Sequence, residues 1–268
     1  DAVTTLPTGV DGTVRRIENT YDDRGRRTRI TSYDAATAGN VVNEVQHDFK
    51  DDSGYFGSVH KSYQAHSGAV DTGTTPRVEY TYSDGSGGGT TAEFHRLTKI
   101  RYPDGREVYY NYESTGNGHV LNRIDNIADD ASGTTTYALY TYLGAGTIVT
   151  VDHPAVASGG GLTLDYTNPG GTGANSYDGF DRFGRVQHQK WTNAAGTTTL
   201  DEFTYSHDRA GNRTYRENAH ASASGKDELY SHDGLHRLAG FERGDLNANK
   251  DAIATLKFEH DWTLSSLN

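Results

Sequence analysis

Asp245-x-Asn247-x-Asn249-x-Asp251 places four oxygen-bearing side chains at alternate positions, the spacing of ligands 1, 3, 5 and 7 in a calcium loop. The sixth position is Lys250 where such a loop needs glycine, and the twelfth is Leu256 where it needs a bidentate glutamate. The run therefore reads as a solvated turn or the start of a short helix over Asp245 to Leu256, and no cofactor is expected. Twelve histidines invite a metal or acid–base reading, yet no His-Glu-x-x-His pair occurs. His207 and His232 each precede an aspartate at the place that Tyr21 holds before Asp22, which makes them stand-ins for tyrosine. No Gly-x-Ser-x-Gly elbow, Walker loop or complete Gly-x-Gly-x-x-Gly after a strand is present. The absence of cysteine excludes thiolate nucleophiles, thiolate metal sites and disulfides. Treating Asp181 and Asp208 as a glycosidase pair would rest on residue type alone. The expectation is a protein without enzymatic activity.

The aspartates are periodic, and the period points to the elements that hold them. Tyr21-Asp22-Asp23-Arg24-Gly25-Arg26, Phe180-Asp181-Arg182-Phe183-Gly184-Arg185-Val186, His207-Asp208-Arg209-Ala210-Gly211-Asn212-Arg213 and His232-Asp233-Gly234-Leu235-His236-Arg237-Leu238 are copies of one pattern. Asp181, Asp208 and Asp233 are spaced 27 and then 25 residues apart, a range that belongs to stacked supersecondary units. An aspartate opening a type I turn accepts bonds from backbone N–H groups ahead of it. A glycine at the fourth position takes the positive φ that closes a bulged hairpin. Each copy is thus expected as a hairpin tip, with His236 in the glycine place because histidine is enriched in the left-handed region. Tyr102-Pro103-Asp104-Gly105-Arg106 reads as a related but tighter two-residue loop.

All-β architecture follows, as stacked β-hairpin repeats with little helix. The pairs Tyr80/Tyr82, Tyr110/Tyr112 and Tyr140/Tyr142 put rings on one face of a strand. With 33% hydrophobic residues but 18 tyrosines, the core is expected to be lean and rich in Tyr and Ala. Gly85–Gly89, Gly159–Gly161 and Gly170–Gly173, the last beside Pro169, read as loops between hairpins. Clear copies lie at 21–26, 102–112, 180–186, 207–213 and 230–238 of one array, 1–268. Residues 239–268 open a further, truncated repeat, while 31–79 and 143–176 carry no clear copy. Asp1 is not a translation start and no signal peptide is visible, so the chain is expected to be an excised piece of a longer one. On that reading Thr13 to Thr20 and Phe258 to Leu264 are open edges. Phe258, Trp262 and Leu264 alternate there with polar residues, as in a half-buried strand. A net charge of −11 disfavours nucleic acid, and no run is apolar enough for membrane insertion.

The combination of Tyr-Asp-x-x-Gly-Arg at 21–26, Asp-x-x-Gly-Arg at 181–185, Asp-x-x-Gly-Asn-Arg at 208–213 and Asp-Gly-Leu-His-Arg-Leu at 233–238 resembles the YD-repeat, or RHS-repeat, proteins. The tail from Tyr230 through Arg243-Gly244 to Ile253 looks like that of large planctomycete YD-repeat proteins. The resemblance implies hairpins wound as a spiral sheet into a hollow shell, secreted or at the cell surface. In polymorphic-toxin members the shell encloses a toxic C-terminal domain, and in teneurins it belongs to an adhesion ectodomain. Shell-forming toxins end in a segment rich in Asp-Pro and Asp-Gly with a self-cleaving aspartate site. No Asp-Pro dipeptide occurs here. The implied function is a structural wall section whose partners are the other repeats of its own polypeptide and an enclosed C-terminal domain. The alternatives are a module binding surface glycans through exposed aromatics, and part of a polymorphic toxin.

Overall fold

Alternating polar and β-branched or aromatic residues, cut by turn sequences, form strands almost throughout. The computed structural model describes residues 2–52, 54–86, 93–154, 160–167, 179–220 and 224–265. It divides into two units, Asp1–Thr135 and Thr136–Asn268. The first contains β1 (Arg16–Tyr21), β2 (Arg27–Tyr33), β3 (Val41–Lys50), β4 (Ser58–Ala65), β5 (Arg77–Asp84), β6 (Phe94–Arg101), β7 (Glu107–Tyr112), α1 (Gly116–Val120) and β8 (Ile124–Ala128). The second contains β9 (Thr136–Leu143), β10 (Thr147–His153), β11 (Leu162–Asp165), β12 (His188–Asn193), β13 (Thr199–His207), β14 (Arg213–Asn218), β15 (Asp227–His232), β16 (Leu238–Leu246) and β17 (Ile253–Asp261). Within each unit every strand pairs antiparallel with the next in sequence.

Substantial strand contacts within a unit are almost all between sequence neighbours, so among the described residues each meander is a single layer of strands. That explains the burial. The buried apolar residues among those described are Tyr55, Tyr63, Ala65, Ala128, Ala138 and Val149, and no large side chain is completely enclosed. A lean Tyr/Ala core results, and lateral side-chain pairs replace depth. In the first unit the register aligns Asp48, Lys61, Glu79, Arg101 and Glu107 across five strands, a row of alternating charge. Lys99 joins it at 3.0 Å from Glu107. The opposite face aligns Tyr80, Ile100 and Val108. Glu44 is buried among such rows: its carboxylate accepts from the Thr31 hydroxyl (2.7 Å) and the Val70 N–H (2.9 Å), tying a loop down onto β3.

Several expectations need correction. The stretch from Asp245 to Leu256 has no helical turn: Leu246 pairs with Ile253 and Asp245 with Thr255, so strand pairing overrides local propensity, and residues 247–252 form the connecting tip. The one α-helix among the described residues is α1, which carries two glycines and persists as a connector between β7 and β8. β17 ends at Asp261 and is not half-buried, since Phe258 is 54% exposed. Thr13 to Thr20 is not an open edge along its length. Ala2 bridges to Arg16, and the Val3 N–H donates to Arg15 O (2.7 Å). Residues 239–268 hold the rest of β16 and all of β17. Positions 31–79, without a legible copy, carry β3 and β4 and part of β2 and β5. Gly85 and Gly161 have positive φ in loops, whereas 87–89, 159, 169–173 and 266–268 lie outside the described residues.

Replacing Glu44 by Ala strands the Thr31 hydroxyl and the Val70 N–H, and is expected to cost about 1–3 kcal/mol. A urea midpoint equal to that of the parent chain would contradict this placement.

Candidate functional site in the row of hairpin tips

Each tip is built on its first residue. The Asp22 N–H donates to Arg26 O (3.0 Å) and the Gly25 N–H donates to Asp22 O (2.9 Å). Asp22 Oδ1 accepts from the N–H groups of Arg24 (3.0 Å) and Arg26 (2.9 Å), and Oδ2 accepts from Arg26 Nε at 2.7 Å. Asp181 repeats the pattern with Phe183 N–H (2.8 Å), Arg185 N–H (2.9 Å) and Arg185 Nε (2.5 Å). Asp233 repeats it with Leu235 N–H (2.9 Å), Arg237 N–H (2.9 Å) and Arg237 Nε (2.8 Å). At Asp208 the neutral Asn212 takes the place of arginine, through its N–H (2.9 Å) and Nδ2 (2.8 Å). Gly25, Gly184 and Gly211 stand at φ +78°, +76° and +95°, and His236 at +63°. A register shift follows Thr20, Ser206 and Ser231, the bulge that such a tip imposes. Tyr21 takes no part in the capping; its ring is largely exposed.

Tyr102–Arg106 is not a tighter loop. The Tyr102 N–H donates to Arg106 O (2.9 Å) and the Gly105 N–H donates to Tyr102 O (3.0 Å), the same frame as at Asp22. Tyr102 occupies the aspartate place, so Asp104 sits two residues later than a motif aspartate and caps only Arg106 N–H (3.0 Å). Gly105 takes φ +86°. Tyrosine has no carboxylate, and the Arg106 guanidinium lies over the Tyr102 ring at 4.9 Å instead.

The residue after the glycine place reaches beyond its own tip. Arg185 Nη1 donates to Asp208 O (3.1 Å), the head of the next tip. Asn212 Nδ2 donates to His236 Nδ1 (3.0 Å), in the tip after that. Arg237 Nη1 then donates to Ser265 O (3.0 Å). In the first unit Arg26 Nη1 bonds Gly57 O (3.1 Å) and Asp51 (2.9 Å), and Arg24 joins Asp51 at 2.6 Å. The fifth motif position is the lateral link between hairpins. Its signal was the recurrence of a long or amide donor, Arg26, Arg185, Asn212 and Arg237, at the fifth place.

Protonation is biased accordingly. Partial burial works to raise the Asp22 and Asp181 carboxyls, but the N–H and guanidinium donors of Arg26 and Arg185 outweigh it and hold both below the usual range. The Asn212 side chain lowers Asp208, and the Arg237 N–H lowers Asp233. His207 is lowered by burial and by Arg185 and Arg213, and His47 by burial and Arg27. Asp181 and Asp208 are thus joined through Arg185, each bound up in turn geometry.

The candidate calcium ligands serve a hairpin. The Asn247 N–H donates to Ala252 O, with Lys250 at φ +59° in the glycine place. Asn247 Nδ2 donates to Asp251 Oδ1 (2.7 Å), Asn247 Oδ1 accepts from Asp251 N–H (3.1 Å), and Asp245 Oδ1 accepts from Gly225 N–H. Asn249 occupies the tip beside Lys250. No three acidic or histidine side chains among the described residues are grouped as a metal site.

No family model matches this sequence, and no curated protein does. Solved structures do. The Photorhabdus luminescens Tc holotoxin pore is 12% identical, with 89% of this chain aligned to 11% of that one at a TM-score of 0.54. The TcdB2–TccC3–Cdc42 complex is 13% identical over 85% of this chain and 12% of that one, at 0.51. At these identities the likeness defines the class by fold: stacked antiparallel β-hairpins, as in a stretch of the Tc toxin chains. This chain spans about a ninth of their length. Among the described residues no helix is long and apolar enough to cross a membrane.

Two outcomes follow. With the histidines lowered below about 6.5 and the motif carboxyls below about 4, stability is fully present above both ordinary values. It should fall in two stages on acidification, first as His47 and His207 resist protonation, then as pH drops through the folded values of the aspartates. Thermal melts between neutral pH and strong acid should show this, and Asp181→Asn should flatten the second stage; a melt independent of pH contradicts it. A Cβ at Gly184 meets nothing within 4 Å, so Gly184→Val tests backbone conformation alone. It should cost about 1–3 kcal/mol. His236→Gly should be nearly neutral, because relief of the backbone offsets loss of the Asn212 contact. An unchanged denaturation midpoint for Gly184→Val would contradict the tip geometry.

Proposed function

We propose that this chain is a non-enzymatic wall section of a YD/RHS-type β-shell or stalk within a large secreted or cell-surface bacterial protein, related to the large members that its 230–253 run resembles. The observation that carries the reading is the lateral relay from Arg185 through Asp208, Asn212, His236 and Arg237 to Ser265. It fastens each hairpin to the next along one edge of the sheet while backbone ladders fasten them along their length. A one-layer sheet with half-buried side chains on both faces suits a wall, which must be continuous rather than deep. The motif carboxylates Asp22, Asp181, Asp208 and Asp233 are committed to their turns. The likeness to Tc toxin chains favours a second reading within the first: the wall surrounds a toxic domain carried on the same polypeptide.

Electron microscopy of the intact polypeptide tests this. The expected result is further hairpins hydrogen-bonded to the outer edge of β17, in the same antiparallel order, with density inside the wall if a domain is enclosed. A β17 edge facing solvent in the intact protein, with this segment standing apart as a separate domain, would overturn the wall reading.

A further inference from the structure

Between β7 and β8 the chain abandons the short tip, and residues 113–123 form a longer connector containing α1. This connector walls a cavity of about 600 Å³ with β5–β8, within the size range of small-molecule sites. Arg96 of β6 lines that cavity and is only 8% exposed. Its Nε donates to Asn122 Oδ1 (2.5 Å), its Nη2 to His119 O, and its guanidinium lies 5.0 Å from the Tyr112 ring. These partners are all neutral. The two carboxylates of the cavity are turned elsewhere, Glu93 to His119 (3.8 Å) and Glu113 to Arg123 (3.8 Å), and no carboxylate of a described residue pairs with Arg96. Asn122 holds its acceptor in place at φ +55°, and His95, beside Arg96, stands at +62°. Such backbone strain persists where surroundings over-determine it, and it accumulates at ligand sites.

A buried guanidinium held on one edge by neutral oxygens is an oriented cation awaiting an anion, because desolvating it without a counter-charge is costly. The Nε–Nη2 edge is occupied, which leaves Nη1 and the terminal edge, the fork that matches a carboxylate. We propose that this cavity binds a carboxylate-bearing sugar, its carboxylate on Arg96. The remaining lining suits the sugar ring. Tyr109 offers an aromatic face for C–H groups, and Asn111, whose Nδ2 is given to Asn126 Oδ1 (2.8 Å), has an amide oxygen to accept from a hydroxyl. The site stands independently of whether the chain is a wall section.

Titration calorimetry of the whole chain with glucuronate, glucose and acetate decides it. Glucuronate should bind saturably, with glucose and acetate roughly tenfold or more weaker, and Arg96→Gln should abolish binding while circular dichroism stays that of the parent. The proposal fails if glucuronate shows no binding up to about 50 mM, if glucose or acetate binds as well, or if folded Arg96→Gln retains affinity. Should Arg96→Gln unfold, Ser132→Trp at the exposed turn lining the cavity replaces it: lost glucuronate binding supports the site, and retained binding overturns it.

Discussion

A carboxylate heads the tips at Asp22, Asp181, Asp208 and Asp233, and the order of those tips hangs on it. One aspartate satisfies two turn N–H groups, seats the arginine of its own tip and so aims that arginine's far nitrogen at the neighbouring hairpin. Remove the carboxylate and three things loosen together: the turn, the bulge that sets register, and the lateral contact. Because each unit is a single layer, little buried apolar area is available to compensate. The economy is one of rows, with charges alternating across β3–β7 and rings resting on guanidinium groups, as Arg213 rests on Tyr205 at 4.9 Å.

The relay also explains why the pattern tolerates variation. What must be kept is a donor able to reach sideways. Arginine does so by length, and Asn212 does so because His236 supplies a ring nitrogen at the right place. His236 is therefore more than a residue that accepts positive φ. Lys250 holds the equivalent place at the 247–252 tip and reaches back to Glu217 at 2.6 Å, another cross-hairpin contact made from a glycine position.

The tips were legible in sequence because their chemistry is local: an aspartate, a residue permitting positive φ, and the strands on either side. Less legible was anything decided across strands. Tyr102 gave no hint that it heads a turn of the same frame, since only backbone bonds reveal it. The 245–256 run carried helix-compatible residues, yet its pairing with β16 is non-local and prevailed. The calcium spacing falls on a hairpin tip, where Asn247 caps the Asp251 N–H and Asp245 the Gly225 N–H. The Arg96 cavity had no linear signature at all, because β6, β7 and the 113–123 connector meet only through the sheet. Regions 31–79 looked blank because their connectors use other caps, such as Asp34 accepting from Asn40 N–H at 2.7 Å.

Arg185, Asn212 and Arg237, the fifth residues of successive motifs, transmit order from one hairpin to the next. Native-state hydrogen exchange on Arg185→Gln tests it most directly, read at the Gly211 and Asn212 amides, which bond Asp208 in the following tip. The relay predicts that protection falls there as well as at the Gly184 and Arg185 amides, since opening free energies are shared across coupled units. Loss confined to residues 181–187, with the 208–212 tip exchanging as in the parent chain, would contradict it.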